Sequence, residues 1–376
     1  MNLKMVDLES QYNKTKKEID QAIQNVLDTT AFIKGPQVKK FESELQSYLC
    51  CKHVIGCANG TDALQIAMMA LDLQPNDEVI TANFTYVATA EVMALLHIKP
   101  VLVDVYADTM LINVEQIERA ITPRTKAIVP VHLFGQCANM EAIMTIAKRH
   151  KLYVIEDTAQ AIGAVYTFAN GNKQRAGTIG DIGTTSFFPS KNLGCFGDGG
   201  AMMTNNDLLA QQIRMVANHG QAIQYQHDVV GVNSRLDTLQ AAILAVKLNH
   251  LDSYEQARNQ LATTYDKAFE NHKNLIIPAR EPQSTHVFHQ YTLTLKGIER
   301  DPLREFLKQK GIPTMVYYPI PLNVQKAYKT EGNFPTTEHL CKNVLSLPMH
   351  TEMTPEQTNF IIEQVLEGIK HQLDSK

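Results

Sequence analysis

The sequence predicts an α/β fold: a mostly parallel seven-stranded sheet covered by helices, followed by a smaller C-terminal α+β domain. Three observations carry this. Short apolar runs of strand length recur at 53–57, 78–81, 101–104, 127–131, 153–156, 183–188 and 200–204, with turn residues between them. Helix-length segments separate most of these runs, the alternation that parallel βα crossovers require. After Asp237 the pattern changes to long helical spacing and then to alternating aromatic and polar residues, which belongs to a different layer arrangement.

Taken in order, residues 61–73 place alanine, leucine and methionine at helical spacing between the first two strands, and 115–121 and 139–150 read as similar crossovers. Asn170-Gly171, between an apolar run at 165–168 and a polar stretch, predicts a hairpin excursion, because this dipeptide suits tight primed turns. Leu239, Ile243, Val246 and Leu251 trace one long amphipathic helix. Its end sets the expected domain boundary, with a large domain at 1–250 and a small one at 251–376. In the second part, 286–295 alternates like an antiparallel strand, 302–309 is helical, and 314–318 reads as strand again.

Composition excludes several classes of function. With 44% hydrophobic and 20% charged residues, the chain is an ordinary globular one that can bury a large core. A net charge of −4 leaves no basic footprint for nucleic acid; the short basic cluster 14–17 reads as a solvated helix face. The most apolar window, 87–98, contains Glu91 and His97 and is too short for a bilayer. The N-terminal stretch lacks the pattern of a secretory signal. Six cysteines show no CxxC pair or metal-ligand spacing, so no metal is expected and reduced thiols in the cytoplasm fit best.

The most informative stretch is SFFPSKNLGCFGDGGA at 186–201, where Lys191 stands between an apolar strand and a glycine-rich loop. A lysine becomes a nucleophile toward carbonyls when its ammonium is desolvated, and a strand end inside a sheet supplies that setting. A solvated lysine in a surface turn is the bland alternative. The glycines match neither the dinucleotide nor the Walker pattern. Ser186, five residues earlier, offers a hydroxyl to a phosphate.

Three further constellations bear on Lys191. Gly56 to Ala63 reads as a strand, a small-residue turn and a helix start, where open amides bind phosphate; there the amide of Asp62 is the expected contact, since its carboxylate repels an anion. A simple cap by Thr61 or Asp62 explains the same residues. Asp157 leaves the carboxyl end of an apolar strand, the edge where open α/β sheets bind ligands. An anion there keeps a heterocyclic nitrogen protonated, as pyridoxal phosphate needs to act as an electron sink, and Gln160 is spaced to reach the same ring's phenolic oxygen. An acidic helix cap accounts for Asp157 equally well. Phe84-Thr85-Tyr86 places an aromatic residue where it stacks on a ring, although core packing is the simpler account of Phe84.

These residues carry a resemblance. NGTDAL at 59–64, TYVATAE at 85–91, EDTAQAIGA at 156–164, the Lys191 stretch and NSRLDTLQAAIL at 233–244 together resemble the sugar aminotransferases of the DegT/DnrJ/EryC1/StrS family, of fold-type I, from VDLESQY at 6–12 to SLPMH at 346–350. The resemblance implies a pyridoxal 5′-phosphate enzyme with Lys191 as the cofactor-bearing lysine, Asp157 on the pyridine nitrogen and Gln160 on the phenolic oxygen. It implies Thr61, Asp62 and Ser186 at the phosphate, Tyr86 stacked on the ring, and Asn233 reaching the phosphate of a neighbouring subunit, so that a homodimer shares its active sites. It implies glutamate as amino donor and a nucleotide-linked keto-sugar as acceptor.

Within the family, GCANGTDALQI, FTYVATAE, GVNSRLDTLQAAIL and YPIPLN are most similar to enzymes that aminate the 3-keto carbon of a UDP-N-acetyl-hexuronic acid for cell-surface polysaccharides. Arg235 is a candidate anion anchor for the sugar acid or the diphosphate, with a salt bridge to Asp237 as the alternative. Tyr317 and Tyr318 are candidate substrate contacts; relatives often carry histidine where Tyr317 stands. A dTDP-linked 3-keto or 4-keto-6-deoxy sugar is the alternative substrate. A dehydratase offshoot, with histidine in place of the lysine, and a non-enzymatic regulator are the remaining readings.

Overall fold

The computed structural model describes residues 3–374. Its central sheet has seven strands, lying side by side in the order His53–Cys57, Gly200–Thr204, Ile182–Ser186, Tyr153–Asp157, Thr125–Val129, Glu78–Ala82 and Lys99–Val103. The run 200–204 is antiparallel to both of its neighbours, and every other pairing is parallel. All seven expected strands are present, with ends shifted by at most two residues.

Both faces of this sheet are covered, and the period of two in the sequence divides the side chains between them. Ile55, Val79, Val129, Ile155 and Met202 face the helices Gly60–Ala70, Ala88–Leu95 and Asp207–Val216. Ile80, Ile128 and Val154 point to the opposite side, among residues of the helices Val114–Ala120 and Met140–His150. There too, Val54, Phe187, Ala201 and Met203 meet Phe41 and Leu45 of Pro36–Leu49 and Leu244 of Thr238–Leu248. Each fully buried aliphatic side chain of this kind stabilises by roughly 1.5–3 kcal/mol, which makes the alternation a strong determinant of register.

The hairpin expected at Asn170-Gly171 forms between Val165–Thr167 and Lys173–Arg175. The long helix expected after Asp237 is instead two, Thr238–Leu248 and Leu251–Phe269, because the chain breaks at Asn249 and His250. The C-terminal sheet joins Leu275–Ile276, Tyr291–Leu295 and Val344–Leu347. Residues 314–318 do not form the expected strand: Pro313 and Pro319 flank the segment, and it bridges Val344–Leu347 only at Met315. Proline lacks the N–H that a ladder needs. Among the described residues no helix is long and apolar enough to cross a membrane.

Candidate active site

The strand Tyr153–Asp157 delivers Asp157 at its carboxyl end, where the residue is 7% exposed. No helix follows; the next residues form a turn in which Asp157 Oδ1 accepts from the Ala159 amide at 3.1 Å, so the helix-cap alternative falls. Oδ2 accepts from the Thr89 hydroxyl at 3.1 Å. Burial pushes the carboxyl above its ordinary value, against the Ala159 amide, the Lys191 charge and the Thr89 hydroxyl. Such a group calls for a cationic partner to become a carboxylate.

Lys191 leaves the next strand over, Ile182–Ser186, in a tight turn closed by its own N–H to the Phe188 carbonyl at 2.8 Å. Desolvation brings its ammonium down to about 8, with the Asp157 carboxylate pulling the other way. An amine of this kind has a sizeable free-base fraction near neutral pH, as attack on a carbonyl requires.

The turn 59–61 closes on the same strand. A Cβ on Gly60 would lie 2.6 Å from the Ser186 Cβ, and one on Gly200 would lie 2.5 Å from the Asn59 carbonyl. Both positions therefore need glycine, and the helix start is pressed against Ser186. The cap is Asn59, whose Oδ1 accepts from the Asp62 amide at 2.8 Å, and not Thr61 or Asp62. The Asp62 amide is thus taken within the protein, while the amides of Gly60 and Thr61 have no partner among the described residues. Two open amides beside a serine hydroxyl at a helix N-terminus form a cradle for phosphate.

Gln160 is fixed from both ends. Its Oε1 accepts from the Phe134 amide at 2.7 Å, and its Nε2 donates to Tyr318 Oη at 3.0 Å, which leaves one of its two N–H groups for another acceptor. Phe134 has φ +58°, a left-handed conformation that costs a non-glycine residue roughly 1–3 kcal/mol. The Tyr318 ring stands 6.0 Å from Phe84 and 6.2 Å from Tyr86. Phe84 is buried, whereas Tyr86 is 57% exposed. Burial pushes the Tyr317 phenol above its ordinary value.

The segment holding Asn233 and Arg235 is tied to the glycine turn, because Ser234 Oγ accepts from the Ala58 amide at 3.1 Å. Asn233 is exposed and Arg235 half-buried, and among the described residues the alternative ion pair of Arg235 with Asp237 is not formed. The structure therefore gathers Thr61, Asp62 and Ser186 at one corner, Asp157 and Lys191 at the sheet edge, and Gln160, Tyr86 and Tyr318 in a third group.

Sequence reasoning missed several residues that hold this arrangement. Thr89 lies in the first turn of Ala88–Leu95; a hydroxyl inside the most apolar window of the chain was its only signal. His132 is fully buried, with Nδ1 accepting from the Ala138 amide at 3.1 Å and Nε2 2.9 Å from Glu156, so the proton is on Nε2. Glu156 also accepts from the amides of Gly177, Ile179 and Gly180, which fixes the strand end that carries Asp157.

Residues 13–366 match the family model described as the DegT/DnrJ/EryC1/StrS aminotransferase family. The chain belongs to this family. It is 47% identical to the "Pleiotropic regulatory protein" of Geobacillus stearothermophilus, over 99% of this chain and 100% of that one. It is also 47% identical to the "UDP-2-acetamido-2-deoxy-3-oxo-D-glucuronate aminotransferase" of Pseudomonas aeruginosa, over 93% and 95%. Among solved structures, NtdA from Bacillus subtilis with bound cofactor PMP superposes with a TM-score of 0.88 at 33% identity, covering 95% of this chain and 82% of that one. The family member is a pyridoxal 5′-phosphate-dependent nucleotide-sugar aminotransferase of fold-type I. The residues fit that cofactor: a desolvated amine, a buried carboxyl with no ion pair among the described residues, a carboxamide with a spare N–H, and open amides beside Ser186.

Proposed function

We propose that the chain aminates the 3-keto carbon of a UDP-2-acetamido-2-deoxy-hexuronate (the ribo-hexuluronate), with glutamate as amino donor, for cell-surface polysaccharide synthesis. The observation that carries the chemistry is Lys191, held near pKa 8 beside the buried carboxyl of Asp157 at the sheet edge. The similarity to the Pseudomonas aeruginosa enzyme supports the sugar. The division at about residue 250 into a large and a small domain is part of the reading, supported by the helix break there.

When bound, pyridoxal phosphate supplies a carbonyl for amine exchange and a ring that takes up an electron pair. Lys191 Nζ would hold the group and, when free, would accept a proton and give it back. Asp157, held by Thr89 and Ala159, would supply the anion for the ring nitrogen, and Gln160 and Tyr86 of the third group would orient the ring. Arg235, Tyr317 and Tyr318 contact the sugar nucleotide. The same residues would serve the return half-reaction with the keto-sugar.

The active unit is a homodimer in which Asn233 completes the partner's phosphate site. Support comes from the apolar residues exposed just before it, Tyr225 at 82% and Val230 at 84%. Mixing inactive Lys191→Ala and Asn233→Ala protomers restores part of the activity if sites are shared, and none if each protomer is self-sufficient. Location in the cytoplasm belongs to the same reading.

The deciding experiment incubates cofactor-loaded protein with glutamate and a panel of UDP- and dTDP-keto-sugars, following the cofactor absorbance and the product mass. Turnover of the UDP-3-keto-hexuronate above the others is the expected result. Preference for a dTDP sugar overturns the substrate. Absence of turnover with every sugar favours a regulatory role, the sense of the Geobacillus relative's name.

A further inference from the structure

A buried lysine reaches the loop that carries Lys191. Lys247, on the helix Thr238–Leu248, is 2% exposed. Its Nζ donates to the Gly194 carbonyl at 2.7 Å and sits 5.1 Å from the centre of the Phe196 ring. No carboxylate pairs with it among the described residues; the acidic group nearest enough to act on it is the thiol of Cys195. Burying an ammonium without a counter-ion is costly, and replacing such a charge by an apolar side chain of similar size is often stabilising. The charge therefore needs a reason beyond folding.

Its partner supplies one. Gly194 ends a closed loop that carries Lys191: the Cys195 amide donates to the Phe187 carbonyl at 2.8 Å, and Lys191 donates to Phe188 at 2.8 Å. The loop is folded tightly on itself, since a Cβ on Gly194 would lie 2.4 Å from the Pro189 carbonyl. Gln240, seven residues and two helical turns before Lys247, clamps the loop's exit, accepting from the Phe196 amide at 2.8 Å and donating to its carbonyl at 3.4 Å. From a different part of the chain, the Val287 carbonyl takes a hydrogen bond from Asn192 Nδ2 at 2.9 Å.

The geometry points to Lys247 as the positioning residue of Lys191: a buried cation that, with Gln240, pins the loop 187–196 to one helix face and holds the reactive amine against Asp157. This rests on Lys191 being the cofactor-bearing lysine. The helix also begins directly after Asn233 and Arg235, so the clamp ties the reactive amine to the segment proposed to bind the partner's phosphate and the sugar nucleotide.

The test uses the cofactor-loaded wild type, Lys247→Met and Gln240→Ala. Methionine keeps the packing and removes the Nζ bond. Expected for Lys247→Met is a thermal midpoint equal to or above wild type, with kcat about 10- to 100-fold lower, since small misplacements of reacting groups cost this much. Donor KM stays within about twofold, and the pH midpoint of the lysine-bound cofactor's absorbance moves by about half a unit or more. Gln240→Ala moves kcat and midpoint the same way by less. Wild-type kcat and an unmoved midpoint in Lys247→Met overturn the proposal; if that variant does not fold, the same outcome in Gln240→Ala overturns it. Borohydride reduction of the wild type, followed by peptide mass analysis, separates the two layers. Cofactor on the Lys191 peptide keeps the underlying reading whatever the variants do, while cofactor on the Lys247 peptide overturns both.

Discussion

The two walls of the candidate site are built by different means. On the sheet-edge wall, Asp157, Ser186, Lys191 and the Gly60 turn each lie at or beyond the end of a strand, so the strands deliver them and nearby side chains, such as Thr89 at Asp157, hold them in place. The aromatic wall, with Tyr86, Tyr317 and Tyr318, is joined by side chains 240 residues apart: Asn83 Nδ2 donates to Asn323 Oδ1 at 2.8 Å, and Asn83 Oδ1 accepts from the Asn323 amide at 2.9 Å. Both asparagines are buried. The difference suggests a division of labour, in which the sheet edge holds the groups proposed to react and the latched aromatic loops set what lies beside them. Substitutions on the first wall should then act on kcat, and those on the second on sugar KM.

The largest effect is expected from Lys191→Ala, which removes the group proposed to move the proton; turnover should fall by about 10³-fold or more, with the circular dichroism spectrum retained. The ammonium titrates near 8 in the folded protein instead of 10.5. Between those values the unfolded chain binds more protons, so wild-type apoprotein gains stability as pH rises. Its deficit in thermal midpoint against Lys191→Met is full below pH 8 and should shrink toward pH 10.5; a deficit independent of pH would mean that the amine is not desolvated.

Next come the residues proposed to support the ring nitrogen. Asp157→Asn should lower kcat by about 10²-fold, the scale of losing one preorganised electrostatic contact. Thr89→Val removes a hydrogen bond to a charged group, worth about 1.5 kcal/mol and hence roughly tenfold in kcat. A sugar KM effect without a kcat effect in either variant would break the division between the walls.

That division also explains what could be read from the sequence. Strand ends are local: an apolar run ending in Asp157, or in Ser186 ahead of a glycine-rich loop, places its candidate residues by pattern alone, and all seven strands and the hairpin at Asn170-Gly171 lie where the pattern puts them. The aromatic wall is not local. Residues 314–318 have the composition of a strand, yet flanking prolines leave a single bridge at Met315, and the segment instead carries Tyr318 to Gln160. Nothing near Asn83 or Asn323 in sequence identifies the other as its partner. The helix break at Asn249 was invisible for a related reason, since no proline or glycine marks it.

The latch itself gives an intermediate case. Asn83→Ala leaves Asn323 Oδ1 and its amide buried without partners, a loss of about 1–3 kcal/mol, to be read as a lower denaturation midpoint. Sugar KM should rise with it, because the segment that follows Tyr318 loses its seat. The double variant Asn83→Ala/Asn323→Ala should recover part of the stability, since neither side then has an orphaned amide side chain.

Tyr318→Phe should have the smallest effect and is the sharpest comparison. It deletes only Oη, the acceptor for Gln160 Nε2 at 3.0 Å, while the ring keeps its neighbours Phe84 and Tyr86. Gln160 stays held by the Phe134 amide, so the ring-orienting carboxamide is not released. One neutral hydrogen bond is worth about 1 kcal/mol net, or roughly fivefold, and this should appear in sugar KM with kcat changed by less than about twofold. A kcat loss as large as that of Thr89→Val would make Tyr318 part of the reacting machinery, and the two walls would then have to be treated as one catalytic unit joined through Gln160.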